Sequence, residues 1–175
     1  MSISTDDNDK ILFVQTGGTI DKDYPRSTGG YAFEFGEPAT IRLLDRLQPS
    51  FAYTVATAFQ KDSLEVTDQD REELATLIGK ASESRVIVTH GTDTMIDTAK
   101  YLLLAKNEPL LKHKTIVLTG AMRPERFSNS DAPLNLGAAI AAVQLAPAGS
   151  VLVTMHGVVR PAQEATRDME TGQFK

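Results

Sequence analysis

The sequence predicts a three-layer α/β domain, a mainly parallel sheet covered by helices on both faces. Two observations carry this. Short apolar runs alternate with amphipathic stretches along the chain, and most of the runs stop on glycine, threonine, serine or aspartate where a strand would hand over to a loop or helix.

"ILFVQ", Ile11 to Gln15, reads as a buried strand that ends at Gly17 and Gly18. Residues 21–36, with Pro25, Gly29 and Gly30 and no sustained period, read as a long loop, a length often used as a lid. "PATIRLLDRL" reads as a helix with Pro38 near its start, and "YTVATAF" alternates as a strand does. From Thr67 a helix opens with acids in its first turn and Leu74, Leu77 and Ile78 on one face. "RVIVT" is the next strand, followed by a helix with Ile96, Ala99 and Leu103 on one side. "KTIVLTG" is a strand. After the irregular "AMRPERFSNS", Asp131 is expected to cap a helix whose Leu134, Ala138, Ala141 and Leu145 share a face. "SVLVTM" is the last clear strand, and the polar tail from His156 is weakly patterned.

The totals narrow the function. The chain has 175 residues, enough for one domain with its own core, so residues 1–175 are read as a single domain. Net charge is −5 and no Lys/Arg cluster stands out, so nucleic acid is not an expected partner. Without cysteine there are no disulfides, thiolate nucleophiles or cysteine metal sites. The three histidines, His90, His113 and His156, lack metal-ligand spacing, so no metal site is expected. The polar, acidic N-terminus does not resemble a signal peptide, and no apolar run reaches the ~20 residues that span a membrane. A cytoplasmic protein with no membrane partner is expected.

In open α/β sheets, ligands bind beyond the carboxyl ends of the strands. "TGGT", "KDS", "HGTD", "GAMRP" and "MHG" each follow a strand, so all five share one rim. "TGGTI", Thr16 to Ile20, has three readings. It is a tight turn, a phosphate loop, or a turn that holds Thr16 as a nucleophile. Against a phosphate loop, "DKDYP" follows where a helix should open. "HGTDT" needs one N-cap and has Thr92, Asp93 and Thr94 in a row. The surplus suits a zwitterion, because backbone N–H groups attract a carboxylate while Asp93 meets an ammonium. "KDSLEVTD" adds Ser63 and Glu65, or is a polar connection only.

"TGGTI", "HGTDTM", "TGAMRP" and "SDAPLNL", in this order and spacing, resemble the bacterial-type L-asparaginases over nearly all of the chain. The related tRNA amidotransferase of archaea shares these motifs. The resemblance implies a flavodoxin-like, asparaginase N-terminal-type catalytic domain that hydrolyses L-asparagine to L-aspartate and ammonia without any cofactor. A broader glutaminase-asparaginase and a non-catalytic amino-acid-binding relative are the alternatives. Thr16 would be the nucleophile and a flap tyrosine, Tyr24 in preference to Tyr31, would help activate it. Thr92 and Asp93 would work with a lysine, and Asp93 would hold the substrate's α-amino group. Ser63 would bind the α-carboxylate, with Gly17, Leu64 and Ala121 also lining the substrate. Leu64 stands where wide-specificity relatives often carry a polar residue, which leans the reading to asparagine.

Two departures follow from the resemblance. The lysine position, some twelve residues beyond Met155, falls on Arg167, and a guanidinium, a permanent cation, cannot act as a neutral base; Lys175 or a lysine elsewhere is the alternative for that place. The C-terminal domain usual in the family, which completes a neighbour's site, is absent from this chain. A start Met and a complete alternating domain favour a natural short form over a fragment. A homo-oligomer, dimer or tetramer, is expected by resemblance. His90 reads as structural, His113 as solvated and His156 as a rim residue.

Overall fold

The first strand, β1 (Ile11–Gly17), is buried at every position, as a central strand covered on both faces must be. The computed structural model describes residues 10–25, 32–106 and 109–175. β1 leads through a 3-10 turn, Thr19–Asp21, into β2 (Lys22–Asp23), which pairs antiparallel with β3 (Glu34–Phe35). Thus the predicted loop has a small hairpin at its base. Tyr31 lies outside the described residues.

α1 (Ala39–Leu47) follows Pro38, and β4 (Tyr53–Lys61) returns parallel to β1. α2 (Asp68–Lys80) opens on a full capping box, in which Thr67 accepts from the Asp70 N–H and the Asp70 carboxylate accepts from the Thr67 N–H. At its other end the Lys114 ammonium donates to the carbonyls of Ala81 and Glu83, at 2.6 and 2.8 Å, placing a cation at the negative pole of the helix. β5 (Arg85–Thr89), α3 (Met95–Ala105), β6 (Thr115–Thr119), α4 (Ala132–Leu145) and β7 (Val151–Met155) continue the alternation. The tail has more structure than its pattern predicts. β8 (Val158–Pro161) pairs antiparallel with β7, and Arg167 bridges to Phe174, closing a final turn.

The sheet order is β4-β1-β5-β6-β7-β8, with the first five strands parallel. Alternate strand residues feed two cores. Leu12, Val14, Val86 and Val88 pack with α2 and α3, whereas Ile11, Phe13, Ile87 and Val117 pack with α1 and α4. The predicted three layers are present, with two helices on each face.

Topology adds a feature that the sequence does not announce. The chain steps from β1 to β4 in one direction through α1, and from β6 to β7 in the opposite direction through α4, yet α1 and α4 lie on the same face. The two crossovers therefore have opposite hands. The crossovers through α2 and α3 share the hand of the first, so by the strong right-handed rule β6–α4–β7 is the left-handed one. α4 is thereby laid over β5 and β6.

Two helix faces differ from expectation. α3 buries Met95, Thr98, Ala99 and Leu102, while Ile96 and Leu103 are only partly covered. α4 buries Leu136, Ala139, Ile140 and Val143, and turns Leu134 and Leu145 to solvent. This helix is apolar nearly all round, so its period alone cannot say which stripe faces the sheet. Asp131 stands at the N-cap position but makes no side-chain cap bond. Its carboxylate is engaged elsewhere, as described below.

Leu102 is fully buried and Leu104, on the same helix, is largely exposed. Leu102→Ala should cost about 2–5 kcal/mol, and Leu104→Ala less than about 0.5 kcal/mol. Chemical denaturation of both variants checks the facing of α3.

Candidate active site

The order of the parallel strands reverses between β1 and β5, which makes their carboxyl ends the switch-point crevice of the sheet. Thr16 ends up there, almost fully buried, and its hydroxyl donates to the Thr89 carbonyl at 2.7 Å. The two glycines after it have φ of 95° and 79°, a region that a side chain rarely tolerates. Space is also lacking. A Cβ on Gly17 would stand 2.6 Å from the Lys61 backbone, and one on Gly18 would overlap the Gly91 backbone. The "TGG" turn is therefore locked between the ends of β4 and β5.

The "HGTD" loop is fixed from below by a polar relay. His90 is fully buried. Its Nδ1 lies 2.8 Å from the Gly91 carbonyl, which can only accept, so Nδ1 carries the proton. Nε2 then accepts from the Thr98 hydroxyl at 3.0 Å, and Arg71 Nε donates to that hydroxyl oxygen at 3.1 Å. Burial lowers the His90 pKa to about 4, so the ring is neutral near pH 7. The expected structural role of His90 matches this geometry, and His113 is exposed as read.

Ser63 lies beneath the same loop. It is buried, its Oγ accepts from the Asp93 N–H at 3.2 Å, and its carbonyl accepts from the Thr94 hydroxyl at 2.6 Å. Leu64, next to it, is largely exposed. Asp93 is half exposed, and its Oδ1 accepts from Arg167 Nη1 at 2.8 Å. The same Nη1 lies 3.2 Å from the Thr92 carbonyl. Arg167 is aimed by its own turn, because Nε donates to the Gly172 carbonyl and the guanidinium stacks on Phe174, 5.4 Å from the ring centroid. Phe174 is a core residue, and His156 Nδ1 accepts its N–H at 3.2 Å.

Ala121 is buried at the end of β6. Asp131 holds the loop that follows it, accepting the N–H groups of Met122 and Arg123 at 3.0 and 3.1 Å. Asn135 Nδ2 donates to the Gly120 carbonyl and to Asp131. Asp131 and Asn135 thus serve the rim, while Ser130 Oγ accepts the first N–H of α4, that of Ala132, at 3.1 Å.

Tyr24 is brought to the flap base, not to Thr16. Its ring stacks with Phe127 at 6.1 Å and packs on Phe33 at 5.1 Å. No hydrogen bond joins its phenol to Thr16 among the described residues. Instead it lines a cavity of about 290 Å³ with Asp21, Phe35, Arg42 and Arg126. Among the described residues no three histidines or carboxylates are placed to hold a metal ion together, and no helix is long and apolar enough to cross a membrane.

Sequence reasoning passes over Asp21. It is buried just after "TGGTI", and its Oδ1 accepts the first N–H of α1, that of Ala39, at 2.7 Å. Burial raises its pKa to about 7, against the lowering effect of that N–H and of Gln15, Arg42 and Thr89. Its position, an aspartate at the first turn beyond an apolar strand, is the only signal that could have flagged it.

A family model described as "Asparaginase, N-terminal" matches residues 10–174. The chain is 32% identical over 166 residues to a glutaminase-asparaginase of Acinetobacter glutaminasificans, covering 90% of this chain and 49% of that protein. It is 32% identical over 176 residues to a glutaminase-asparaginase of Pseudomonas aeruginosa, covering 94% of this chain and 48% of that one. The structure superimposes on L-asparaginase I from Vibrio cholerae with a TM-score of 0.75 at 19% identity, over 96% of this chain and 51% of that chain, a likeness of fold. The chain spans about half the length of these proteins.

The Asp21 carboxyl predicts a pH dependence of stability. In the unfolded chain it ionises near 3.8, and in the fold near 7. Between these values the folded state holds the extra proton, so stability falls as pH rises through that window, by up to about 4 kcal/mol, and levels off above it. Asp21→Asn keeps an acceptor for Ala39 and cannot ionise. Its melting temperature should gain on the parent between pH 5 and pH 8.5. Parallel curves would mean that Asp21 stays charged in the fold.

Proposed function

The chain belongs to the asparaginase family, and we propose on that premise that its strand-end site hydrolyses the side-chain amide of L-asparagine. The observation that supports this best is the convergence of Thr16, Ser63 and an Asp93–Arg167 ion pair on the switch point of the sheet. A zwitterionic substrate needs an anion site and a cation site. Ser63 with the N–H groups of the "GTD" turn offers the first. Asp93 offers the second, since Arg167 engages Oδ1 and leaves Oδ2 for an ammonium.

In this reading Thr16 Oγ1 bonds to the amide carbon, and loop N–H groups near Ala121 and Gly17 steady the oxyanion. The C–N bond then breaks, the hydroxyl proton leaves with ammonia, and water hydrolyses the ester to restore Thr16. In the resting site that proton points at the Thr89 carbonyl, which cannot take it up. Thr16 must rotate toward an acceptor before it attacks, and Thr92 and Tyr24 are the groups assigned to that relay. A guanidinium is a permanent cation rather than a base, so the part of Arg167 is to fix Asp93 and the Thr92 carbonyl. No metal or organic cofactor is called for by this scheme.

A second reading, binding without turnover, draws on the same arginine. A permanent cation in the lysine's place preserves the pocket's charge and removes a titratable group. Glutamine as an additional substrate also belongs to the test, given the glutaminase-asparaginases among the relatives.

Ammonia release from asparagine and glutamine, with circular dichroism for the fold, decides among these. Thr16→Ala should lose at least about a thousandfold in turnover with an unchanged spectrum, and near-normal turnover would remove Thr16 from the mechanism. Asp93→Asn separates chemistry from capping. As a cap, asparagine costs only a few tenths of a kcal/mol, so retained activity would reduce Asp93 to a structural residue. Arg167→Lys should keep activity within about tenfold or raise it, whereas Arg167→Ala should lose more than that. Equal losses in both variants would mean that the charge is not what Arg167 supplies.

A further inference from the structure

The turn that joins β7 to β8 holds a histidine in an uncommon backbone state. Met155 pairs with Val158, so His156 and Gly157 alone make the turn, with φ of 53° and 78°. Two-residue hairpin turns of this hand favour Asn-Gly, because both residues take the left-handed region. Here histidine, which also tolerates that region, fills the first place. Its side chain acts beyond the turn. His156 is exposed, and its Nδ1 lies 3.2 Å from the Phe174 amide nitrogen. A backbone N–H can only donate, so Nδ1 accepts and the proton of the ring is on Nε2.

Phe174 connects this bond to the strand-end rim. Its ring is buried, the Arg167 guanidinium stacks 5.4 Å from the centroid, and the His156 ring lies 5.9 Å from the same centroid. Arg167 in turn bonds Asp93 at 2.8 Å. Backbone bonds between Thr166 and Lys175, and from Asp168 to Gln173, close the tail into one turn. Whatever holds residue 174 therefore holds residue 167. His156 anchors from β7 the turn that aims the arginine.

We propose that His156 is a positioning residue for Arg167, and that a proton on its Nδ1 loosens the arm that carries the guanidinium. Protonation turns Nδ1 into a donor facing the Phe174 N–H, so that bond is lost. It also sets a second cation beside a ring that already carries one. The charged groups of the surrounding elements are engaged elsewhere. Arg167 of the tail pairs with Asp93 of the "HGTD" loop, and Lys175 with Asp168. The Lys175 bond holds the Asp168 carboxyl well below the usual carboxylate range, so Asp168 keeps its charge in mild acid. Arg160 of β8 donates to the Val159 carbonyl. The arm is thus held while the imidazole is neutral and loosens as pH falls through its titration. The effect on a substrate rests on the reading of Asp93 and Arg167 given above; the coupling of His156 to the arm does not.

Nitrogen–proton NMR of the intact chain, titrated between about pH 5 and pH 8, tests the arm. In the parent the Phe174 amide and the Arg167 Nε–H should shift together with the His156 ring, on one midpoint. His156→Asn puts an oxygen where Nδ1 stands, tolerates the turn and carries no titrating proton. Both signals should then stay at the parent's high-pH positions throughout. His156→Gly suits the turn but offers no acceptor, and should hold both signals at the low-pH positions. Circular dichroism should match the parent in each. Aspartate binding, by calorimetry over the same range, tests the site. The parent should lose about two- to tenfold in affinity through the midpoint relative to His156→Asn, and His156→Gly should bind weakly at every pH. A Phe174 signal that ignores the His156 ring overturns the proposal, as does an asparagine variant whose arm still titrates. Identical aspartate affinities in all three chains at every pH would overturn the positioning role. A parent that binds no aspartate at any pH would instead reject the assigned substrate, with the NMR comparison still deciding the arm.

Discussion

The site depends on how closely the ends of β1 and β5 approach. Gly18 lies against the Gly91 backbone with no room for a side chain, and two residues earlier the Thr16 hydroxyl closes on the Thr89 carbonyl. Two loops that are 73 residues apart at this hydrogen bond are thereby held as one surface. Parallel strands make such a contact available only at a switch point, where the chains leaving neighbouring strands diverge to opposite sides. Everything else at the rim is arranged around that contact. Ser63 arrives from β4, Ala121 from β6 and Arg167 from the tail beyond β8.

Holding loops that tightly calls for support below them, and the support is polar. The neutral His90 links the Gly91 carbonyl to Thr98 of α3 and, through it, to Arg71 of α2. Burial, with the Arg71 cation nearby, disfavours a charged ring at that depth. The neutral ring donates from Nδ1 to Gly91 and accepts at Nε2 from Thr98. On the other face Asp131 and Asn135 fix the "GAM" loop in the same manner. The left-handed crossover matters here, because it puts the start of α4 beside the end of β6.

How much of this is legible in the sequence varies with the physics of each element. The strands are readable because a parallel strand is apolar on both sides, and "ILFVQ", "RVIVT" and "SVLVTM" say so without ambiguity. The start of α2 is readable because its acids and its capping threonine are local chemistry. The facing of α4 is not. Its period of apolar residues is real, but it describes the stripe turned to solvent, since a charge-free helix offers two candidate faces. Asp131 departs from its expected role for a related reason. Aspartate before a helix is among the commonest caps, and only the fold brings the Met122 and Arg123 N–H groups within its reach. Nor does local pattern register Asp21, whose raised pKa comes from burial and whose N–H partner is 18 residues away.

Arg167 is the case in which spacing reaches further than pattern. The tail reads as weak in periodicity, yet the family resemblance, counted on from Met155, implies Arg167 in the lysine's place near Asp93, and the guanidinium lies 2.8 Å from that carboxylate. What the count cannot convey is how the arginine is held. Its turn is closed by the Arg167–Phe174 bridge, its plane rests on a buried ring, and its second nitrogen is spent on Gly172. A lysine has no planar group to stack and no second nitrogen to anchor. The tail is therefore shaped for a fixed fork, not for a flexible amine, and the direction of substitution matters. Exchanging arginine for lysine here removes restraints as well as changing acidity, and any gain in proton transfer has to exceed that loss of positioning. The same restraints make Asp93 a carboxylate with one oxygen engaged in advance and one to offer, which is the arrangement that a single ammonium requires.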